Sequence, residues 1–409
     1  MEMDGKTIVL GITGGVAAYK AAMLASALSK RGARVQTVMT KHATQFVTPL
    51  TLQSVTRQPV FVDMFDERDP SRIAHIALAD DADLVVVAPA TADAIARVAH
   101  GIGDDMLTTM LLATRAPVVL APAMNVHMYE NPIVQRNLGI LRDAGFYVAE
   151  PGIGPLACGY TGRGRLMEPD EMMEFIDMVL TPKRLANRTV LVTAGPTRER
   201  IDPVRYLSND STGTMGYALA QMAWRMGAMV TLVTGPVAKE PPMGVEMVSV
   251  ESAQEMLRAV VERAPDSDIV IKSAAVADYR PVQAAAVKIK KTGRQFHLAL
   301  TQNEDILQAV RAVRKPSSYL VGFAAETHDV DYYARKKLQE KGLDMLVLND
   351  VFEEGAGFGD TTNRVTLYFA DGAVLPLGLA PKLTVAGDIL EHVVRRLGTA
   401  DRAALPRPL

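Results

Sequence analysis

The chain has 409 residues, 48% of them hydrophobic and 22% charged, enough for roughly two to three domains with large cores. Its net charge of −2 gives no reason to expect nucleic acid or an anionic membrane as a partner. A single cysteine, Cys158, excludes an intramolecular disulfide and suits a reducing cytoplasm; the short acidic start does not read as a signal peptide, and no apolar run reaches the ~18 residues of a membrane span.

Taken in order, Ile8 to Ile12 reads as a short buried strand that runs through Thr13-Gly14-Gly15 into a helix from Val16 to about Lys30. Bare glycines between strand and helix let backbone N–H groups face an anion. The strict GxGxxG spacing is absent, so an anion loop and an empty tight turn both fit. Arg34 to Met39 is the second strand and ends at Thr40. Asp83 to Ala88 is another, ending in Pro89-Ala90-Thr91. Ala116 to Leu120 follows, stopped by Pro122, which lacks the ladder N–H. Strands alternating with helical stretches predict βαβ units and a parallel sheet, with ligands at the carboxyl ends of the strands.

That places Asn125 where chemistry is expected. Its amide can hold a carboxylate without adding charge, or it can cap the helix near Asn131. Thr13, Gly14, Gly15, Thr40 and Thr91 converge on the same sheet edge. The glycine-rich run 155–165 around Cys158 reads as a mobile flap or as a surface loop with an incidental thiol. A helix from Asp170 to Leu180 closes the unit, and a polar linker covers 182–187.

A second start follows at Thr189 to Thr193. The run Ser208-Asn209-Asp210-Ser211-Thr212-Gly213-Thr214 leads into a helix through Met226, combining hydroxyls, glycine and a helix N-terminus. Strands are expected at Met229 to Thr234 and Asp268 to Ile271. Asp278 beyond the latter suits Mg²⁺ or a helix cap. Lys288-Ile289-Lys290-Lys291 is read near a strand, with alternation sending Lys288 and Lys290 to one side. Tyr319 onward is a strand, and Val330 to Lys341 a helix with Lys337 and Lys341 on one face. Asp344 to Leu348 is a strand, and the segments 364–369 and 373–377 pair through Asp371-Gly372. The last helix is expected from Lys382 to Leu397, with a disordered tail from Gly398. The 21 methionines read as core filler.

With these residues assembled, the chain resembles the bifunctional phosphopantothenoylcysteine decarboxylase / phosphopantothenate–cysteine ligase family of coenzyme A biosynthesis, over residues 5 to 397. The resemblance rests on an ordered set: Thr-Gly-Gly at 13–15, His75, Pro-Ala-Met-Asn from 122 with Met128, Ala-Cys-Gly at 157–159 and Ala-Gly-Pro-Thr-Arg-Glu at 194–199. Asp-Pro-Val-Arg-Tyr at 202–206, Ala-Ala-Val-Ala-Asp-Tyr at 274–279, Lys-Ile-Lys-Lys at 288–291 and Gly-Phe-Ala-Ala-Glu at 322–326 complete it.

The resemblance implies two Rossmann-like parallel-sheet domains in tandem: a flavodoxin-like decarboxylase domain over 1–181, a linker over 182–187, a ligase domain over 188–397 and a tail over 398–409. It implies FMN held by Thr13, Gly14, Gly15, Thr40 and Thr91. His75 would be a base, Asn125 the holder of the leaving carboxylate, and Cys158 the proton donor. For the second half it implies CTP and Mg²⁺. CTP would meet Lys272, Ser273, Ala274, Asp278, Lys288, Glu304, Asp305, Ile306, Leu307, Phe323, Lys337 and Lys341; Asp278 would meet the cation. Asn209 would handle an acyl-cytidylate. The implied partners are 4′-phosphopantothenate, cysteine and CTP, with trimeric flavin halves and dimeric ligase halves.

Four features depart from the family pattern. Thr214 stands where a lysine is usual, Asp104-Asp105 replaces Asn-Asp, and Glu304 and Lys272 are unusual at their positions. A flavin decarboxylase whose second half only binds nucleotide, and a nicotinamide oxidoreductase, are the competing readings; the missing GxGxxG weighs against the latter.

Overall fold

The computed structural model describes residues 3–65, 71–291, 293, 295–326, 329–350, 357 and 359–403, with the backbone alone described at 325, 326, 350 and 398–403. The chain divides into two compact units, Met1–Thr181 and Pro182–Leu409. Among the described residues no helix is long and apolar enough to cross a membrane.

The strands of the first unit are β1 (Thr7–Ile12), β2 (Arg34–Met39), β3 (Val60–Phe61), β4 (Leu84–Ala90), β5 (Val118–Pro122) and β6 (Tyr147–Val148), followed by the pair β7 (Gly152–Pro155) and β8 (Thr161–Arg165). Its helices are α1 (Ala18–Lys30), α2 (Pro49–Thr56), α3 (Ala74–Asp81), α4 (Ala92–Ala99), α5 (Met106–Ala113), α6 (Val126–Tyr129), α7 (Pro132–Asp143) and α8 (Pro169–Leu180). The sheet runs β3-β2-β1-β4-β5-β6 and is parallel throughout. Helices cover both faces, so β4 is apolar at consecutive positions. Leu84, Val86 and Ala88 join one core, and Val85, Val87 and Ala90 the other. Each fully buried valine there contributes about 1.5–3 kcal/mol over leaving it exposed.

The second unit repeats that plan. Its strands are β9 (Thr189–Ala194), β10 (Arg198–Arg200), β11 (Tyr206–Ser208), β12 (Met229–Thr234), β13 (Val245–Ser249), β14 (Ile269–Lys272), β15 (Tyr279–Pro281), β16 (Leu300–Gln302), β17 (Tyr319–Glu326), β18 (Met345–Asp350), β19 (Thr362–Asn363), β20 (Val365–Phe369), β21 (Val374–Pro376) and β22 (Ala380–Pro381). Its helices are α9 (Thr214–Arg225), α10 (Ala253–Arg263), α11 (Ile306–Val313), α12 (Val330–Lys341) and α13 (Lys382–Ala403). The main sheet is ordered β13-β12-β9-β14-β17-β18-β20-β21. Its first six strands are parallel and have the same relative order as the first sheet; β20 and β21 are antiparallel. In each unit the order reverses beside the first strand, so β1/β4 and β9/β14 flank the switch points where ligands bind in such sheets.

Two expectations are corrected. Lys288-Ile289-Lys290-Lys291 is not in a strand, so alternation does not orient it. Asp202 and Arg205 hold Ile289 by its backbone instead. The helix from Lys382 does not end near Leu397 but continues to Ala403, into the expected tail; the rest of that tail, 404–409, lies outside the described residues. The run around Cys158 forms an antiparallel hairpin, β7–β8, with the cysteine on its turn.

Candidate active sites

In the first unit a cavity of about 640 Å³ opens at the switch point. Thr13, Gly14, Thr40 and Thr91 line it; Gly15, His75, Asn125 and Cys158 do not. Thr13 is buried, donates to the Pro89 carbonyl at 2.7 Å and accepts the Thr91 N–H at 3.0 Å. Its hydroxyl ties the exits of β1 and β4 together. Thr40 accepts from Ala43 N and Thr91 from Ala94 N, so each keeps its own O–H to donate. A Cβ on Gly14 would stand 2.4 Å from that of His42, so only glycine lets this loop pack on the exit of β2.

Val62, Met64, Leu107 and Met128 give the cavity an apolar wall; Lys41, Asp63, Asp93, Arg97, Asp104 and Asp105 give it charge. Arg97 reaches Asp93 at 2.9 Å, Asp104 at 3.0 Å and Asp105 at 3.2 Å. Burial pulls its guanidinium down, and these carboxylates more than offset that, holding it above its ordinary value. The extra charge at Asp104 is thus matched inside the chain.

Asn125 and Cys158 meet. Asn125 caps α6, its Oδ1 accepting from His127 N at 2.8 Å, while its Nδ2 donates to Cys158 Sγ at 3.1 Å. Asn125 is thus a helix cap, but of the short α6; the helix that follows, α7, is capped by Asn131 itself. Cys158 is exposed on the turn of the β7–β8 hairpin. The hairpin is seated by Met124 N donating to Gly164 O at 3.0 Å. Gly164 has φ +155, and a Cβ there would lie 2.2 Å from Met124 O. The Asn125 hydrogen bond, then that of the Tyr160 backbone, holds the Cys158 thiol below its ordinary value. Both favour the thiolate that remains once a proton has been given away. His75 sits at the start of α3 with a buried Nδ1 that has no hydrogen-bond partner among the described residues.

In the second unit two cavities share a wall. One, of about 400 Å³, is lined by Asn209 to Gly216, Lys272, Ser273, Ala274, Asp278, Phe323, Lys337, Asn349, Asn363 and Lys382. The other, of about 310 Å³, is lined by Lys272, Asp278, Asn303, Glu304, Asp305, Ile306, Leu307, Phe323, Lys337 and Lys341. Lys272, Asp278, Phe323 and Lys337 belong to both. Lys288 lines neither and is exposed.

The switch point is again stitched by threonine. Thr193 Oγ1 accepts from Ala274 N at 3.1 Å, and Thr197 Oγ1 from Ala277 N at 3.0 Å. Asn209 Nδ2 donates to the carbonyls of Ala275 and Val276 at 3.2 and 3.1 Å, fixing the strand-exit loop that walls the larger cavity. Thr214 begins α9 and shares a 2.8 Å hydroxyl contact with Thr212. Asp278 precedes β15, so it is no helix cap.

Lys272 is half-buried at the end of β14. Burial, reinforced by Lys337, pulls its ammonium down to about 8, against the pull of Asp305 and Asp278. Lys341 pairs with Asp305 at 2.6 Å. Burial would push Asp305 up, but Lys341 and the N–H groups at the start of α11 win, holding it below the usual carboxylate range. Among the described residues no three His, Cys, Asp or Glu gather as a metal cage. Sequence reasoning missed Arg97, Asn349, Asn363 and Lys382. Asn349 had a signal, a polar residue closing the apolar run 345–348; Lys382 had none.

Two doubly wound units, each with a cavity at its switch point, define a tandem α/β enzyme: the first also carries an amide–thiol pair beyond β5, and the second gathers lysines around its cavities. Residues 1–181 match the family described as Flavoprotein, and residues 185–397 that described as DNA/pantothenate metabolism flavoprotein C-terminal domain. The coenzyme A biosynthesis bifunctional protein CoaBC of Vibrio vulnificus is 49% identical, over 97% of this chain and 99% of its own. That of Bacillus subtilis is 48% identical, over 96% and 97%. A solved C-terminal domain of a coenzyme A biosynthesis bifunctional protein CoaBC is 44% identical, over 53% of this chain and 99% of its own, with a TM-score of 0.46. The chain belongs to this family of coenzyme A biosynthesis bifunctional proteins, which join a flavoprotein decarboxylase to a phosphopantothenate–cysteine ligase.

Proposed function

We propose that the second unit joins cysteine to 4′-phosphopantothenate at the expense of CTP, and that the first unit decarboxylates the resulting 4′-phosphopantothenoylcysteine with FMN. For the ligase, the reading is carried by the two adjoining cavities that share Lys272, Asp278 and Lys337. The substrate carboxylate attacks the α-phosphorus of CTP and pyrophosphate leaves; the cysteine amine then attacks the acyl carbon and CMP leaves. Lys272, Lys337 and Lys341 offset the charge that builds on the phosphates. Ser273 and Ala274 face the nucleotide from the strand exit, and Glu304 to Leu307 with Phe323 wall the smaller cavity. Mg²⁺ arriving with the triphosphate takes few protein ligands, and Asp278 is the carboxylate set to meet it. Lys288 reaches the nucleotide from the arm beside the site. Asn209 serves the acyl-cytidylate by holding Ala275 and Val276 in place.

For the decarboxylase, the reading is carried by the Asn125–Cys158 hydrogen bond. The cavity suits a flavin nucleotide in volume and in its mix of apolar wall and hydroxyl donors. Thr13, Gly14, Gly15, Thr40 and Thr91 would hold FMN, with Thr13 also bracing those loops. FMN, when bound, would supply the two-electron oxidation of the cysteinyl thiol to a thioaldehyde, whose C=S would accept the electrons released with CO₂, and would return two electrons to the product. Asn125 holds the leaving carboxylate. Cys158 protonates the enethiolate carbon, and the Asn125 N–H steadies the thiolate left behind. His75 lies outside its own cavity while Ile73 and Ile76 beside it are exposed. Both facts support a homo-oligomer, with His75 acting as a base in a neighbouring copy's site. The lone unpaired thiol suits a cytoplasmic setting.

Purified full-length protein reconstituted with FMN should be yellow. Given 4′-phosphopantothenate, cysteine and CTP, it should yield 4′-phosphopantetheine, CMP, pyrophosphate and CO₂. A protein that refuses flavin, or that consumes no CTP, would contradict the proposal.

A further inference from the structure

The arm between β15 and β16 carries Lys288, and its feet stand in the wall of the smaller ligase cavity, at Asp278 and at Gln302 to Leu307. Its backbone is docked on the turn 201–205. Ala285 N donates to Ile201 O at 2.9 Å. Ile289 is held at both ends of its peptide: its N–H donates to Asp202 Oδ2 at 3.1 Å, and its carbonyl accepts from Arg205 Nη2 at 3.0 Å.

Asp202 organises this contact. Its side chain is buried. Oδ1 accepts the N–H groups of Val204 and Arg205, both at 2.9 Å, which shapes the turn. Oδ2 accepts from the Arg205 guanidinium and from Ile289. These bonds hold its carboxyl well below the usual carboxylate range, so it stays ionised and keeps both oxygens as acceptors. One carboxylate therefore splits its work, one oxygen for the turn and the other for the arm.

We propose that Asp202 is a positioning residue of the ligase: by fixing Ile289, it fixes the backbone of Lys288 beside the nucleotide and leaves only the lysine side chain to move. This rests on the assignment of Lys288 to CTP made above. Among the described residues of the arm Ile289 is the one held at both N–H and carbonyl by side chains, and an ammonium on an anchored backbone loses less freedom when it closes on a phosphate.

The substitution Asp202→Asn separates the two oxygens. The amide can keep its Oδ1 toward Val204 and Arg205, but its NH₂ then faces donors from Arg205 and Ile289, so the turn survives and the clamp breaks. In the full-length holoenzyme, three readouts are expected. Hydrogen exchange at the Ile289 amide speeds up while Val204 and Arg205 keep their protection. Pyrophosphate release from CTP that depends on 4′-phosphopantothenate, measured without cysteine, falls by about 10- to 100-fold, the scale of a misplaced catalytic group. Decarboxylation of 4′-phosphopantothenoylcysteine is unchanged. In a Lys288→Gln background, adding Asp202→Asn costs nothing further, because Asp202 acts through Lys288. Pyrophosphate release near the parent rate in Asp202→Asn overturns the proposal, as does a full additional loss on top of Lys288→Gln. If Lys288→Gln alone leaves release intact, the assignment of Lys288 to CTP is what fails, and the positioning role falls with it.

Discussion

Lys272 is held against its own charge, and replacing it with methionine tests what that is for. The gap between an ordinary lysine at 10.5 and about 8 corresponds to roughly 3 kcal/mol against the ammonium in the free protein. Lys272→Met keeps the length of the side chain and removes the charge. Allowing for partial exposure, we expect the second unit to gain about 1–3 kcal/mol at pH 7, or roughly 3–10 °C in Tm for a unit of this size. The sign with pH is fixed: the folded value lies below the unfolded one, so the penalty is full below about 8 and is relieved as pH rises toward 10.5. The gain from Lys272→Met must therefore shrink between pH 7 and pH ~10.5. Trp224 is the only tryptophan, and it packs on the core of the second unit, so its fluorescence follows that unit's unfolding in denaturant. The same variant should lose roughly 10- to 100-fold in kcat/KM for CTP, the value of a charge-assisted bond to a phosphate. A variant that is less stable at pH 7, or whose gain is the same at both pH values, refutes the view that Lys272 stores unpaid charge for an anion.

Two further outcomes concern the first unit. Asn125→Ala removes the leading influence that lowers the Cys158 thiol, so the pH midpoint for alkylation of Cys158 should move upward, and slower alkylation near pH 8 should accompany lost decarboxylation; an unchanged midpoint would separate the amide from the thiol. Gly164→Ala drives a Cβ into Met124 O and forces a backbone that alanine resists, a strain of about 1–3 kcal/mol that should lift the hairpin off the Asn125 loop. Decarboxylation should fall while CTP-dependent pyrophosphate release persists, and loss of both activities would count against a local effect.

Much of the fold was legible where burial on both faces makes a strand continuously apolar. Residues 84–88 and 345–348 are such runs, and the helix Val330–Lys341 shows its face through Lys337 and Lys341. The shared strand order of the two units was not legible, because crossovers are set by how helices pack and not by strand composition. Strands of two or three residues, such as β3, β10 and β11, carry too little pattern. The β10–β11 pair is reinforced by a side-chain contact across it, Arg198 over the Tyr206 ring at 4.7 Å, which strand patterning does not reveal. The Lys288 run misled for a related reason: its alternation is real, but Asp202, eighty-odd residues earlier, captures its backbone first. At the sites, residue types spoke clearly and their pairings did not. Asn125 and Cys158 were each conspicuous, yet their hydrogen bond depends on Gly164 letting one backbone approach another. Thr13 was legible as a cavity-lining hydroxyl, but not its second part in tying the exits of β1 and β4 together.

The most direct test of two sites working in series is the product made by full-length Cys158→Ser, reconstituted with FMN and supplied with 4′-phosphopantothenate, cysteine and CTP. Mass spectrometry should find 4′-phosphopantothenoylcysteine accumulating in step with CMP and pyrophosphate, with little or no 4′-phosphopantetheine. Formation of 4′-phosphopantetheine at the parent rate, or no accumulation of the cysteine adduct while CTP remains intact, would contradict the account.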